Sequence, residues 1–329
     1  MALDLLFVAA AAAVLWKTAD WFVEGAVGVA ERLRVPKMLI GIVLVSFATT
    51  SPELLTSVIA TVRGYPELAL GNAVGSIIVD VGIALGCAAA LSSLPMLADR
   101  HVFGPSAVFV LLAISAGFAL TMDGVMTRGD GLALMAMYAG YLLYSYRQVK
   151  RHREAARAAM EGMEELERQL AGMGAAKILR LFVGGFLGVL LGSELLVTGA
   201  TGLAEELGLS PVIIGLTVTA VGTSVPEIAT CAAAALKRQS QVGVGNIVGA
   251  DILNICWVAG ASSLFNPLGA EKQVVWYMFP CALAMVGAML LMIGLGGFRV
   301  RRWNGFVLMA MYAAYAAGLY FIAGPAAAR

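Results

Sequence analysis

The chain has 329 residues, of which 60% are hydrophobic and only 13% are charged. Soluble domains contain about 45–50% apolar and about 25% charged residues, so this composition excludes a water-soluble protein with a single core. Its 22 basic and 21 acidic residues nearly cancel, which removes the electrostatic basis for binding a nucleic acid. The composition therefore predicts a multispanning membrane protein whose main partner is the lipid bilayer, with no obligatory protein partner evident.

Apolar segments bounded by charged or turn-forming residues are predicted to cross the bilayer. A hydrocarbon core of about 30 Å needs about 20 residues of helix. The sequence therefore predicts an all-α polytopic fold with ten transmembrane helices. In chain order these segments are 3–31, 38–62, 66–94, 102–121, 131–146, 178–204, 211–236, 242–264, 273–297 and 303–323.

The basic residues predict how the chain is oriented. Most Lys and Arg residues fall in loops on one side of the predicted spans, including the charged segment 148–176. Loops with an excess of Lys and Arg remain in the cytoplasm. The expected protein is therefore an integral protein of the cell (inner) membrane, with both termini outside and segment 148–176 as a cytoplasmic linker.

The chain contains an internal repeat at a constant offset of 174 residues. Stretches 131–143 and 305–317 share eight of thirteen residues, and Gly71-Asn72 returns as Gly245-Asn246. The predicted units are therefore a first repeat, 1–147, and a second repeat, 177–329. Five spans are an odd number, so the second repeat is expected to be inverted, an arrangement typical of secondary transporters.

Two matching motifs place carboxylates inside predicted spans. Proline lacks a backbone N–H, so each motif is expected to break its helix and free carbonyl oxygens. A carboxylate near the middle of a membrane is costly unless it is paired, protonated or bound to a cation. The motifs are Thr-Thr-Ser-Pro-Glu at 49–53 and Thr-Ser-Val-Pro-Glu at 223–227.

The following spans add polar residues beside Gly-Asn-x-Val-Gly motifs. Ser76 and Asp80 share one helix face, as do Ala250 and Asn254, and Asp251 is a further candidate ligand. Carboxylate, hydroxyl, amide and carbonyl oxygens suit Ca²⁺ and can also suit Na⁺, whereas they suit zinc or copper poorly. The residues therefore predict a binding site for hard cations, which are cargo rather than cofactors.

These paired motifs resemble the α-repeats of the sodium/calcium exchanger superfamily of cation/calcium antiporters. The resemblance covers both halves and implies ten helices that move Ca²⁺ against Na⁺ or H⁺ by alternating access. It implies that Glu53 and Glu227 are the central Ca²⁺ ligands, aided by the backbone carbonyls of Thr49 and Thr223. It also implies that Asp80 and Asn254 flank the centre and that the sodium sites are bordered by Ser46, Thr50, Ser76, Ala220 and Ser224.

The sequence departs from the family pattern in three places. Thr50-Ser51 replaces the usual serine and aliphatic residue, Ile77 stands in place of asparagine, and Ala250 stands in place of a serine. Because Ala250 has no side-chain oxygen, sodium coupling is expected to be weakened or altered, with H⁺/Ca²⁺ exchange as the alternative. A passive cation channel is a further alternative. An intramembrane hydrolase is disfavoured because the sequence lacks HExxH and GxGD motifs, so no enzymatic activity is expected.

Overall fold

The computed structural model describes residues 2–160, 174–206 and 220–323, and most of these residues lie in helices. This confirms the prediction of a mainly helical polytopic chain. The helices are α1 Ala2–Leu33, α2 Lys37–Thr49, α3 Ser51–Val62, α4 Pro66–Leu91, α5 Arg100–Leu120, α6 Arg128–Met160, α7 Ala175–Glu206, α8 Ala220–Thr223, α9 Val225–Leu236, α10 Ser240–Phe265, α11 Val274–Leu295 and α12 Arg302–Ala323.

Seven helices in the described residues are long and apolar enough to cross a membrane, or eight if α2 and α3 form one bent span. Two of the ten predicted segments account for the difference. Segment 131–146 lies in α6, where only 16 residues separate the charged Asp130 and Arg147. Segment 211–236 begins outside the described residues, and its described part, α9, has only 12 residues.

Helices of the two halves correspond at the 174-residue offset. Both α3 and α9 have 12 residues and carry a proline in the first turn. Both α4 and α10 begin with 14 α-helical residues, followed by a six-residue π-helical segment, Asp80–Leu85 in α4 and Asn254–Ala259 in α10. Because π-helical turns are rare and concentrate at functional sites, their matched positions mark these helices as candidates for the site.

The N-terminal helices of the two halves pack against each other in opposite directions. Phe22 on α1 lies 4.9 Å from Phe182 on α7, measured between ring centroids. Gly25 approaches the backbone of Phe182, whereas Gly199, near the end of α7, approaches Asp4 near the start of α1. The order of these contacts shows that α1 and α7 are antiparallel, and glycine allows their backbones to come close.

Two short antiparallel strand pairs connect loops of one half to loops of the other. Strand β1 (Met96–Leu97) pairs with β4 (Arg299–Val300), and β2 (Val125–Met126) pairs with β3 (Leu268–Gly269). The prediction of an all-α chain does not include them, because two residues leave no alternating pattern in a sequence. The strands connect the ends of the helices, and each contributes one buried side chain to the core, namely Met96, Met126, Leu268 and Val300.

The centre of the protein is formed by α4 and α10. In the most apolar window of α10, 94% of the residues are buried inside the protein, against 17% in α12. Helices α3 and α9 pack against α4 and α10. The four helices that carry the predicted ligands are therefore neighbours, and the two central ones are largely shielded from lipid.

Candidate ion-binding site

The chain breaks its helices directly before each predicted carboxylate. Between α2 and α3 the helix direction changes by 40° at Thr50, and Pro52 is the second residue of α3. Ser224 separates α8 from α9 in the same manner, with Pro226 as the second residue of α9. This confirms the predicted breaks. Proline fits the first turn of a helix but cannot continue one, because it lacks the N–H and its ring crowds the preceding turn.

Glu53 and Glu227 lie in the first turns of α3 and α9 and are 0% and 1% exposed. The Ser224 hydroxyl donates to Glu53 Oε1 over 3.4 Å, and the Thr50 hydroxyl donates to Glu227 Oε1 over 3.2 Å. Each carboxylate is therefore held by a hydroxyl from the other half of the chain. The N-terminal ends of both helices also favour negative charge at these positions.

A second pair lies where the π-helical segments of α4 and α10 begin. The Asn254 amide nitrogen donates to Asp80 Oδ2 over 3.4 Å, and both side chains are buried. Asp80 is close enough to Glu53 and Glu227 to interact with them electrostatically. The structure thus brings together the carboxylates that the sequence predicts at the centre.

Several buried oxygen atoms at this centre have no hydrogen-bond partner within the described part of the chain. A buried carboxylate oxygen is normally hydrogen-bonded, because an unpaired one loses its hydration without compensation. A hard cation would supply the missing interactions. The unpartnered atoms are Glu53 Oε2, Glu227 Oε2, Asp80 Oδ1, Asn254 Oδ1 and Ser76 Oγ.

The donor set fits an oxygen-ligated cation and does not fit a transition metal. Within the described ranges, no group of three or more His, Cys, Asp and Glu side chains is arranged to hold a metal ion. Among the described residues, a pair of carboxylates would therefore act together with hydroxyl, amide and carbonyl oxygens. Such a mixed set suits Ca²⁺ or Na⁺, because both accept neutral oxygen ligands.

The other predicted residues take different positions. Ser46 is buried and donates its hydroxyl to the Ile42 carbonyl, while Ala250 is fully buried on α10. Asp251 is also fully buried, and neither of its carboxylate oxygens has a described partner. Ala220 begins α8, but its side chain lies outside the described residues.

Two asparagines of the Gly-Asn motifs do not belong to the predicted ligand set, yet both contact it. The Thr49 hydroxyl donates to Asn246 Oδ1 over 3.1 Å, and the Thr223 hydroxyl lies 3.4 Å from Asn72 Oδ1. Both contacts connect one half of the chain to the other. A Gly-Asn pair is common at ordinary helix contacts, so only its repetition at the 174-residue offset could indicate this role.

Comparison with known proteins identifies the family. The model described as "Sodium/calcium exchanger protein" matches residues 3–147 and 177–321. An uncharacterized membrane protein of Methanocaldococcus jannaschii is 30% identical over 301 residues, covering 91% of this chain and 92% of that protein. Sodium/calcium exchanger MaX1 of Methanosarcina acetivorans is 26% identical over 339 residues, covering 94% and 96%.

A solved structure of the sodium-calcium exchanger NCX_Mj has the same fold. It matches with a TM-score of 0.80 and 28% sequence identity, covering 96% of this chain and 98% of that chain. The likeness therefore extends over the helices that carry the site and over the rest of the membrane fold. Since the family model matches most of the chain, this integral membrane protein belongs to the sodium/calcium exchanger family.

Proposed function

We propose that this protein is a secondary antiporter that exchanges Ca²⁺ for Na⁺ across a membrane by alternating access, without enzymatic activity or a resident cofactor. The observation that carries this proposal is the buried pair Glu53 and Glu227. Each is fixed through one oxygen by a hydroxyl from the opposite half, and each has a second oxygen without a described partner. A carboxylate pair of this kind supplies the charge that a dehydrated divalent cation requires.

We assign Ca²⁺ to the space between Glu53 and Glu227, with the backbone carbonyls of Thr49 and Thr223 as further ligands. The breaks after α2 and α8 support this assignment, because carbonyls at a helix end have no intrahelical partner. Asp80 and Asn254 flank the ion, and Asp251 is a further candidate ligand. The residues proposed to border the sodium sites are Ser46, Thr50, Ser76, Ala220 and Ser224.

The proposed architecture is ten transmembrane helices in two inverted repeats, 1–147 and 177–329, joined by the linker 148–176. The antiparallel packing of α1 and α7, which correspond at the 174-residue offset, supports the inversion. The family model likewise matches the chain in two segments. The two spans beyond the eight candidates would be formed by segments 131–146 and 211–236. Two halves of opposite orientation provide the two access states that an antiporter needs.

The function is tested by measuring ⁴⁵Ca²⁺ uptake into proteoliposomes under imposed Na⁺ or H⁺ gradients. We expect uptake to follow an outward Na⁺ gradient and to stop when Na⁺ is equal on both sides. Uptake that follows only a pH gradient would replace this proposal with H⁺/Ca²⁺ exchange. Uptake that needs no counter-ion gradient would indicate a passive channel.

Ala250→Ser should strengthen sodium coupling. Ala250 is fully buried on α10, one turn before Asn254, and contributes no side-chain oxygen. A hydroxyl there adds one ligand for a monovalent cation, so we expect the Na⁺ concentration for half-maximal Ca²⁺ exchange to fall several-fold. Ala250→Cys is the matched control, because it adds a side-chain atom of low affinity for Na⁺. Equal Na⁺ dependence in both variants and the wild type would contradict the assignment.

The proposed orientation is tested by cysteine labelling. Variants Ala2→Cys and Gly174→Cys are made in a background in which the four native cysteines are replaced by alanine. An impermeant maleimide added to intact cells should label Ala2→Cys, whereas Gly174→Cys should react only after permeabilisation. The reverse pattern would place the N-terminus in the cytoplasm.

A further inference from the structure

A chain of two hydrogen bonds fixes the helix break of the second half. The Asn72 amide nitrogen donates to Ser57 Oγ over 3.1 Å, and its amide oxygen faces the Thr223 hydroxyl at 3.4 Å. Ser57 lies on α3, one turn after Glu53, and is 1% exposed. Asn72 is therefore held through both its amide nitrogen and its amide oxygen. Through Asn72, the first half positions Thr223, the last residue of α8.

The corresponding chain in the first half lacks one connection. The Thr49 hydroxyl donates to Asn246 Oδ1, but Asn246 Nδ2 has no partner within the described residues although the side chain is fully buried. The residue at the offset position of Ser57 is Cys231, a fully buried residue of α9. Its sulfur lies beside Gly243, one turn before Asn246 on α10.

The two halves differ in one potential acceptor atom, which is the hydroxyl oxygen of Ser57 in the first half and the sulfur of Cys231 in the second. A serine oxygen accepts a hydrogen bond from an amide, whereas a thiol sulfur is only a weak acceptor. Asn72 is consequently fixed at two points and Asn246 at one. Removal of a group that hydrogen-bonds to a metal ligand and orients it typically lowers metal affinity by about 10–100-fold. Thr49 and Thr223, which these asparagines hold, end the helices at the two breaks.

We propose that Ser57 and Cys231 are positioning residues, and that the serine-to-cysteine difference makes the two halves hold Ca²⁺ with unequal strength. This inference rests on the proposed function, since it assigns the residues behind the same Ca²⁺ site. The second half, whose helix break at Thr223 is fixed by Ser57 and Asn72, holds the ion firmly. The first half, whose break at Thr49 is held only through Asn246, is looser and eases release of the ion.

Single-atom exchanges test this proposal with little change in volume. Ser57→Cys should raise the apparent KM for Ca²⁺ about tenfold, because it removes the second anchor of Asn72. Cys231→Ser should lower the KM several-fold and reduce the maximal rate, because tighter binding slows release. The double variant Ser57→Cys/Cys231→Ser restores one firm and one loose half, so its KM should return to within about twofold of the wild type.

The readouts are the KM and maximal rate of ⁴⁵Ca²⁺ exchange in proteoliposomes, together with the rise in Tm that Ca²⁺ produces in detergent. Since Cys231 acts through Asn246, Cys231→Ser should have no effect on KM in an Asn246→Ala background. Ser57→Ala serves as a second variant with the same expected rise in KM. Each protein is checked for a single size-exclusion peak before reconstitution.

The outcomes separate this inference from the function. If the wild type exchanges Ca²⁺ and the variants keep its KM, or if the double variant keeps the raised KM of Ser57→Cys, the positioning roles are wrong and the exchanger assignment stands. If the wild type neither transports Ca²⁺ nor is stabilised by it, both are overturned. Opposite KM shifts in the singles, and recovery in the double variant, support the proposal.

Discussion

Glu53→Gln and Glu227→Gln should each nearly abolish Ca²⁺ transport while leaving the protein folded. Glutamine keeps the shape and can still accept from the partner hydroxyl, but it removes one negative charge from a buried centre. At an effective dielectric constant of about 20, a charge 4 Å away contributes about 4 kcal/mol, which is about a thousandfold in affinity. The measurement is ⁴⁵Ca²⁺ exchange in proteoliposomes at several Ca²⁺ concentrations.

The same variants should differ from the wild type in how Ca²⁺ affects their stability. Without Ca²⁺ their Tm should be equal or higher, because a buried carboxylate carries a desolvation cost that glutamine avoids. Added Ca²⁺ should raise the Tm of the wild type and not that of the variants, since only a bound ligand stabilises the folded state. A rise in Tm equal to that of the wild type would argue against both ligands.

Glu67→Gln is the matched control. Glu67 also follows a proline in the first turn of a helix, but it is only partly buried and lies at the start of α4. Its substitution should leave Ca²⁺ exchange within about twofold of the wild type, because a charge that still contacts water is screened by water and salt. A loss in Glu67→Gln as large as in the other two variants would show that the effect does not depend on the buried centre.

The carboxylates and helix breaks of the site could be predicted because their signal is local. A proline inside an apolar segment interrupts the helix wherever it occurs, and an acidic residue beside it must be compensated. Pro52 and Pro226 lie in the first turns of α3 and α9, as this reasoning requires. Repetition at one offset then distinguishes a functional motif from an isolated polar residue.

The contacts between the halves could not be predicted, because they depend on how distant helices pack. Nothing near Thr50 in the sequence indicates that its hydroxyl contacts Glu227, a residue of the other half. The contacts of Asn72 and Asn246 could not be predicted either, since an asparagine in a helix can bond to a neighbouring turn or to another helix. The residues that the sequence identifies are thus the charged ones, whereas those that orient them emerge only from the fold.

The span count shows a different limit of sequence reasoning. Segment 131–146 is identified by its likeness to 305–317 and by its boundaries, although it is less apolar than the other predicted spans. In the structure it belongs to α6, whose tyrosines at 138 and 141 are buried against other helices. Such a helix need not be strongly apolar on every side, because part of its surface contacts protein rather than lipid.

Gly245→Ala and Gly249→Ala should strongly destabilise the protein and impair exchange. A methyl group at Gly245 would overlap the Met38 carbonyl oxygen, and one at Gly249 would overlap the Ile42 carbonyl oxygen and the Ser46 hydroxyl. These atoms all belong to α2, so α2 and α10 touch backbone to backbone. Overpacking of a rigid contact costs about 1–3 kcal/mol, and helix backbones cannot move aside as flexible side chains can.

The two variants should differ in their effect on ion coupling. The methyl group of Gly249→Ala displaces Ser46, which we assign to the border of a sodium site, so this variant should raise the Na⁺ concentration for half-maximal exchange more than Gly245→Ala does. Gly140→Ala is the control, because Gly140 is exposed on α6 and alanine favours a helix by about 0.8–1.0 kcal/mol over glycine. Tm in detergent and Na⁺-dependent ⁴⁵Ca²⁺ exchange are measured for all three. Wild-type values in Gly249→Ala would mean that α2 and α10 are not in backbone contact during transport.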